Sequence, residues 1–204
     1  MPKQLLIVFV KNPQFGKVKT RLAKTIGNKK ALEVYKKLLA ITEKSTQNIN
    51  VDCHIYFSDF IEENYWKNTP KFVQKGNHIG ERMANAFEDS FKQGYQQIIL
   101  IGSDIPDINK TIINNGFKAL ETKSFVFGPA EDGGYYLVGM KYYLSSIFKR
   151  KPWSQPSLLE ETLIELKQNN QSYTLLETLN DIDTFEDLKS SGFYNEITKN
   201  ILFE

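Results

Sequence analysis

The feature that most constrains this chain is a set of three short apolar runs, each ending abruptly in charged or turn-forming residues. "LLIVFV" passes into "KNPQFGKVKTRL", "QIILIG" into "SDIPD", and "SFVFGP" into "AEDGG". Apolar runs of this length, bounded by Pro and Gly, read as strands buried on both faces, and such strands belong to parallel sheets covered by helices on each side.

The segments between the runs carry helical spacing. From Asn28 to about Asn48, residues Ala31, Leu32, Tyr35, Leu38, Leu39 and Thr42 fall on one face, with lysines on the other. "VDCHIYFS" alternates Val51, Cys53, Ile55 and Phe57 against more polar neighbours, which predicts a half-buried strand. "IGERMANAFEDSF" places Ile79, Met83, Phe87 and Phe91 on one helix face ahead of the strand "QIILIG". A helix from about Asn109 to Leu120 precedes "SFVFGP", and "GGYYLVGM" predicts an adjoining strand, with an antiparallel run open to it. Ser157 and Glu160 have capping-box spacing before a helix to about Asn169, and Thr184 is placed to cap a last helical region in "DIDTFEDL". Strands alternating with helices at these lengths predict an α/β sandwich on a mostly parallel sheet.

Composition narrows the function. With 204 residues, 41% apolar and 25% charged, the chain can bury a sizeable core and is too hydrophobic for disorder. One domain over residues 1–204 is expected, since no linker, repeat or low-complexity tract divides it. A net charge of +2 argues against a nucleic-acid surface but allows a local basic pocket. Cys53 has no partner for an internal disulfide, and with only His54 and His78 beside it a structural zinc set is excluded. Both histidines read as surface or packed side chains. The run from Leu5 to Val10 is too short for a membrane span and lacks a signal-peptide cleavage site downstream. A cytoplasmic setting is expected, and oligomeric state is not readable.

Open parallel sheets bind ligands beyond the carboxyl ends of their strands, so the residues after each apolar run are the candidates. After the first come Lys11, Gly16, Lys17, Lys19 and Arg21; after the second, Ser103, Asp104 and Asp107; after the third, Glu131 and Asp132. Cations therefore face carboxylates across the sheet edge. Gly16 allows close backbone approach to an anion, and Lys or Arg neutralises phosphate oxygens. A carboxylate opposite can hold Mg²⁺ or Mn²⁺, which bridges phosphates and needs few protein ligands. Asp104, directly after its strand, is best placed for this, whereas Asp107 lies beyond Pro106 where it can cap the next helix.

Each position also has a plain structural reading. The basic stretch fits a solvated loop and is no Walker A motif, since Val18 follows Lys17. Ser103, Asp104 and Pro106 fit a turn, and Gly133 with Gly134 fits a hairpin. In "DIDTFEDL", capping suits Asp187, while Asp181 and Asp183 remain open as ligands. Trp153 reads as packing.

Six stretches, in order, carry a resemblance over nearly the whole chain: "FVKNPQFGKVKTRLA", "GNHIGERMANAF", "IGSDIPD", "GPAEDGGYYLVG", "PWSQPSLLEETL" and "DIDTFEDL". Together they resemble the small bacterial glycosyltransferase-like proteins associated with radical-SAM/selenodomain clusters. That group lies in the nucleotide-diphospho-sugar transferase (GT-A-type) superfamily, near the molybdenum-cofactor nucleotidyltransferases and phospholactate guanylyltransferase. The resemblance implies a three-layer α/β/α, Rossmann-like fold, a nucleotide across the first loop, and a divalent metal at Asp104. It adds Gly80 and Arg82 of the second stretch to the substrate-binding set. His78 stands where an acid is usual and Gln155 where Thr follows the Trp-Ser pair, departures that bear on the acceptor side.

These readings converge on a metal-dependent transferase that takes a nucleotide or nucleotide-sugar and an unidentified small-molecule acceptor. Glycosyl transfer is placed first, nucleotidylyl transfer with release of pyrophosphate second, and a non-catalytic nucleotide-binding module third. Asp104, Asp132 and Lys19 are assigned to the chemistry, with Asp132 for acceptor binding or general-base work. Lys11, Gly16, Lys17, Arg21, Gly80, Arg82, Ser103, Glu131 and Gly133 are assigned to substrate, and Asp104 with Asp183 to Mg²⁺ or Mn²⁺.

Overall fold

The structure, a computed structural model, describes residues 2–197. Seven strands form one sheet in the order β3-β2-β1-β4-β6-β5-β7. These are β1 (Gln4–Val10), β2 (Asp52–Phe57), β3 (Lys71–Val73), β4 (Gln97–Ile101), β5 (Phe125–Pro129), β6 (Tyr135–Met140) and β7 (Tyr173–Leu175). β1 runs parallel to β2 and β4, β2 to β3, and β5 to β7, while β6 is antiparallel to both β4 and β5. The mostly parallel sheet and the antiparallel strand after the double glycine both follow the sequence pattern.

Each face of the sheet carries its own core. Leu6, Val8, Ile99 and Val126 pack under α2 (Asn28–Thr46) and α4 (Lys110–Thr122). Leu5, Ile7, Leu100 and Phe127 pack under α3 (Ile79–Lys92) and α5 (Leu158–Gln168). Alternate side chains of one strand thus feed opposite layers, which makes the three-layer sandwich. A third cluster joins α1 (Thr20–Ile26), α2 and α6 (Phe185–Ser190) through Leu22, Leu38, Ile182 and Leu188. A short helix α7 (Tyr194–Ile197) follows.

Several local expectations are corrected. β2 is buried on both faces rather than half-buried: His54 and Tyr56 lie against Phe72 of the edge strand β3, whose three residues are too short to signal from sequence. Part of the basic stretch is helical, as α1. Asn109, not Asp107, caps α4, accepting from the Ile112 amide, while Ser157 begins α5 without a side-chain cap. Ile79 is 42% exposed at the start of α3 rather than in the core.

The strand order places the site. The chain moves outward from β1 to β2 and β3 on one side, then returns to add β4 on the other, so the crevice opens between the ends of β1 and β4.

Candidate functional site

The loop after β1 is held by a buried side chain. Asn12, 1% exposed, donates to the Phe60 carbonyl (2.9 Å), and its Oδ1 accepts from the Asp59 amide (2.9 Å) and the Ser58 hydroxyl (3.2 Å), tying the β1 exit to the β2 exit. Tyr35 of α2 ties β1 to β4. Its hydroxyl accepts from the Lys11 amide (3.0 Å) and donates to the Lys11 carbonyl (2.9 Å), so the Ser103 hydroxyl 3.2 Å away must be the donor in that contact.

Lys19 stands immediately before α1 in the left-handed region, φ 47° and ψ 45°. That conformation costs a non-glycine residue about 1 kcal/mol and persists where surrounding contacts enforce it. The contacts here are ionic. The side chain is only 5% exposed, and its Nζ lies 2.9 Å from Asp104 Oδ2 and 3.6 Å from Asp183 Oδ1. Burial lowers the pKa of such an ammonium, but the charge and hydrogen bond of Asp104, with Asp183 and Asp181, outweigh it and raise it, so Lys19 stays charged.

Asp181 and Asp183 arrive on the segment before α6. The Ile182 amide donates to the Asp104 carbonyl (3.3 Å), and a capping box fixes the helix start: Thr184 accepts from the Asp187 amide, and Asp187 accepts from that of Thr184. Asp187 is thereby committed to capping. Asp181 is pushed up to about 6, first by burial and then by the charge of Asp104, which Lys19 partly offsets.

Two adjoining cavities share Asp104. One, of about 370 Å³, is bordered by the polar side chains of Lys11, Lys19, Arg82, Ser103, Asp104 and Asp183 and by the apolar Phe9, Val10 and Val18. The other, of about 250 Å³, extends past Asp132 and Asp181 between Trp153, Tyr135 and Met83. The tertiary structure therefore brings Lys11, Lys19, Arg82, Ser103, Asp104, Asp132 and Asp183 to one place.

Other candidates lie elsewhere. Arg21 points outward, 67% exposed, and bonds Asp183 (3.1 Å) rather than Asp104. Lys17 and Gly16 are exposed and border neither cavity; Gly16, at φ 72°, shapes the loop. Glu131 is exposed, its amide bonded to the Leu179 carbonyl. Gly80 and Gly133 act as packing seats. A Cβ on Gly80 would sit 2.5 Å from Trp153 Nε1, and one on Gly133, at φ 87°, would strike the Pro156 carbonyl. Sequence reasoning missed Tyr35, Asn12 and Gln74, which borders the larger cavity and donates to the Tyr56 carbonyl at 2.9 Å, and took Trp153 only as packing. No spacing rule marks them, because each reaches the site from a different element.

The residues fit a divalent cation. Asp104 and Asp183 converge on the Lys19 ammonium, and their remaining oxygens are the hard donors that could hold such an ion beside it. Among the described residues no group of three or more His, Cys, Asp and Glu side chains forms a complete ligand set. A Mg²⁺ site that borrows phosphate oxygens needs none.

A protein of Desulfovibrio desulfuricans G20, provisionally described as a nucleotide-diphospho-sugar transferase, superposes with a TM-score of 0.88 at 26% identity, over 100% of this chain and 98% of its own. A 4-diphosphocytidyl-2C-methyl-D-erythritol synthase from Anaerococcus prevotii DSM 20548 reaches 0.64 at 11% identity, with 96% of each chain covered. The inositol-1-phosphate CTP transferase of T. maritima reaches 0.54 at 12%, with 98% of each covered. At such identities the last two show the shared fold. No protein of curated function matches by sequence. No helix among the described residues is long and apolar enough to cross a membrane. The model of a family described as uncharacterized and conserved in bacteria, DUF2064, matches residues 41–155, from within α2 through the Trp-Ser-Gln turn, and the chain belongs to that family.

Proposed function

We propose that the protein is a cytoplasmic, divalent-metal-dependent transferase of a nucleotide-activated substrate, and that glycosyl transfer is its reaction. The observation that carries this is Lys19, a buried ammonium held between Asp104 and Asp183 where the crevice between β1 and β4 opens. A residue in a left-handed backbone conformation whose side chain is buried and still charged marks a functional position, and an ammonium there can meet phosphate oxygens. Lys11 and Arg82 border the same cavity and can share a diphosphate. The full-length likeness to a nucleotide-diphospho-sugar transferase supports this choice.

In glycosyl transfer, an acceptor hydroxyl oxygen bonds to the anomeric carbon while the bond from that carbon to the diphosphate oxygen breaks. The acceptor proton passes to Asp132, and the nucleoside diphosphate leaves with its charge against Lys19, Lys11 and Arg82. Asp104 and Asp183 would hold the metal, whose chemistry is Lewis-acid stabilisation of the leaving diphosphate. A second reading, nucleotidylyl transfer from a nucleoside triphosphate, is supported by the fold shared with the synthase and the CTP transferase.

A thermal-shift screen of nucleoside triphosphates and nucleotide sugars, with and without Mg²⁺ or Mn²⁺, tests the proposal, followed by phosphorus NMR of reactions with any hit. Free nucleoside diphosphate is expected. Pyrophosphate as product selects the second reading, and a protein that no nucleotide stabilises would sink both.

A further inference from the structure

The second cavity differs in chemistry from the first. None of the described residues bordering it is Lys or Arg, whereas the first has Lys11, Lys19 and Arg82. Its walls are Phe9, Met83, Leu100, Tyr135, Trp153 and Leu158, and its charged groups are Asp104, Asp132 and Asp181 at one end. Two of these carboxylates are engaged: Asp104 pairs with Lys19, and Asp132 Oδ1 accepts from the Gly134 amide at 2.8 Å. A phosphate or carboxylate placed there would be desolvated beside like charge with no cation to meet it.

The wall also carries two polar atoms without partners. Trp153 Nε1 and the Tyr135 hydroxyl are buried and make no hydrogen bond. Trp153 is held firmly. A Cβ on Gly80 would lie 2.5 to 2.6 Å from three consecutive ring atoms, Nε1, Cε2 and Cζ2, so the N–H side of the indole packs against that glycine and fixes the ring at the cavity wall. The turn that carries it is fastened from the other side too, because Pro156 packs on Gly133 and the Leu159 amide donates to the Gly133 carbonyl at 3.0 Å. Native proteins leave few buried donors unsatisfied, and those that remain commonly serve a ligand.

We propose that this cavity is the acceptor subsite and that it takes an unphosphorylated molecule with an apolar or aromatic body and hydroxyl or amino groups, to the exclusion of phosphorylated acceptors. The inference deepens the transferase reading and rests on it for the word acceptor; the binding chemistry stands on the cavity itself. It favours the first of the two transfers, since an acceptor phosphate here would meet no Lys or Arg of this wall.

The test uses the two indole N–H signals in a proton–nitrogen correlation spectrum. Trp66 Nε1 donates to the Thr46 hydroxyl at 2.8 Å within the core and serves as the internal control, while Trp153 Nε1 is free to respond. Trp153→Phe and Trp66→Phe each remove one signal, so either variant alone assigns both. The full chain is titrated with benzyl alcohol, benzyl phosphate and benzylamine, which share one skeleton. Benzyl alcohol is expected to move the Trp153 signal downfield and leave Trp66 in place, with benzyl phosphate binding at least about tenfold more weakly. Binding of the phosphate as tight as or tighter than that of the alcohol or the amine, or an unmoved Trp153 signal, overturns the proposal. Nucleotide-dependent stabilisation, measured on the same sample, reports separately on the transferase reading.

Discussion

Lys19 is where residue-scale chemistry concentrates. Replacing it by Met leaves Asp104 and Asp183 facing one another without their shared cation. Turnover should fall about 10²- to 10³-fold, the loss typical of removing one preorganised charge from a transition state, as read from kcat/KM with saturating metal. Asp132→Asn should leave the dissociation constant for nucleotide unchanged while kcat drops by about 10²-fold or more. Lost nucleotide affinity with normal kcat would remove Asp132 from its assigned role. Asp181 offers a pH signature. Its native pKa of about 6 lies above the ordinary carboxylate value, so folding favours its protonated form, and the stability it contributes is fully present below about pH 4 and lost as pH rises through about 6. In metal-free urea titrations, Asp181→Asn should match the parent near pH 4 and exceed it by about 1–3 kcal/mol at pH 8. A gap that does not widen with pH would show that burial does not govern this carboxyl.

At the scale of elements, the site is a set of segments locked by close contacts between glycines and larger groups. Gly80, the second residue of α3, seats the Trp153 indole, and Gly133, just before β6, seats Pro156. Their alanine variants should differ in kind. Gly80→Ala must push a side chain aside, at a cost of about 1–3 kcal/mol, and should weaken binding in the apolar cavity while sparing nucleotide affinity. Gly133→Ala meets backbone rather than a side chain and also demands a positive φ, so its melting temperature should fall further than that of Gly80→Ala. The reverse order, measured by thermal melts of the two variants, would mean the turn around Pro156 is free to move. These contacts explain why two glycines read from sequence as substrate-binding stand instead behind the wall that substrate would touch.

At the scale of the molecule, the proposed site is a junction, so its ligands should act together. Nucleotide and Mg²⁺ added jointly are expected to raise the melting temperature more than the two separate shifts combined, because each completes the other's coordination; simple additivity would place the metal elsewhere. Much of the architecture was legible in the chain itself. Branched apolar runs predict β1, β4 and β5, and 3.6-residue spacing predicts α2 and α3, because burial on fixed periods writes itself into local sequence. Asp104 was legible as well, as the acid directly beyond a buried strand. The three-residue strands β3 and β7 were not, since so few residues carry no period, nor was the full burial of His54, which depends on Phe72 across the sheet. The sequence by itself determined an α/β sandwich with cations and carboxylates at its strand exits. Only the tertiary structure decided which of them meet: Lys19 with Asp104 and Asp183, Arg21 on the outer side, Lys17 and Glu131 apart. The reason is that a strand's burial is a local property of its own residues, whereas a site between β1, β4 and the segment before α6 depends on where distant chain segments are brought by strand order and by contacts such as Tyr35 to Ser103.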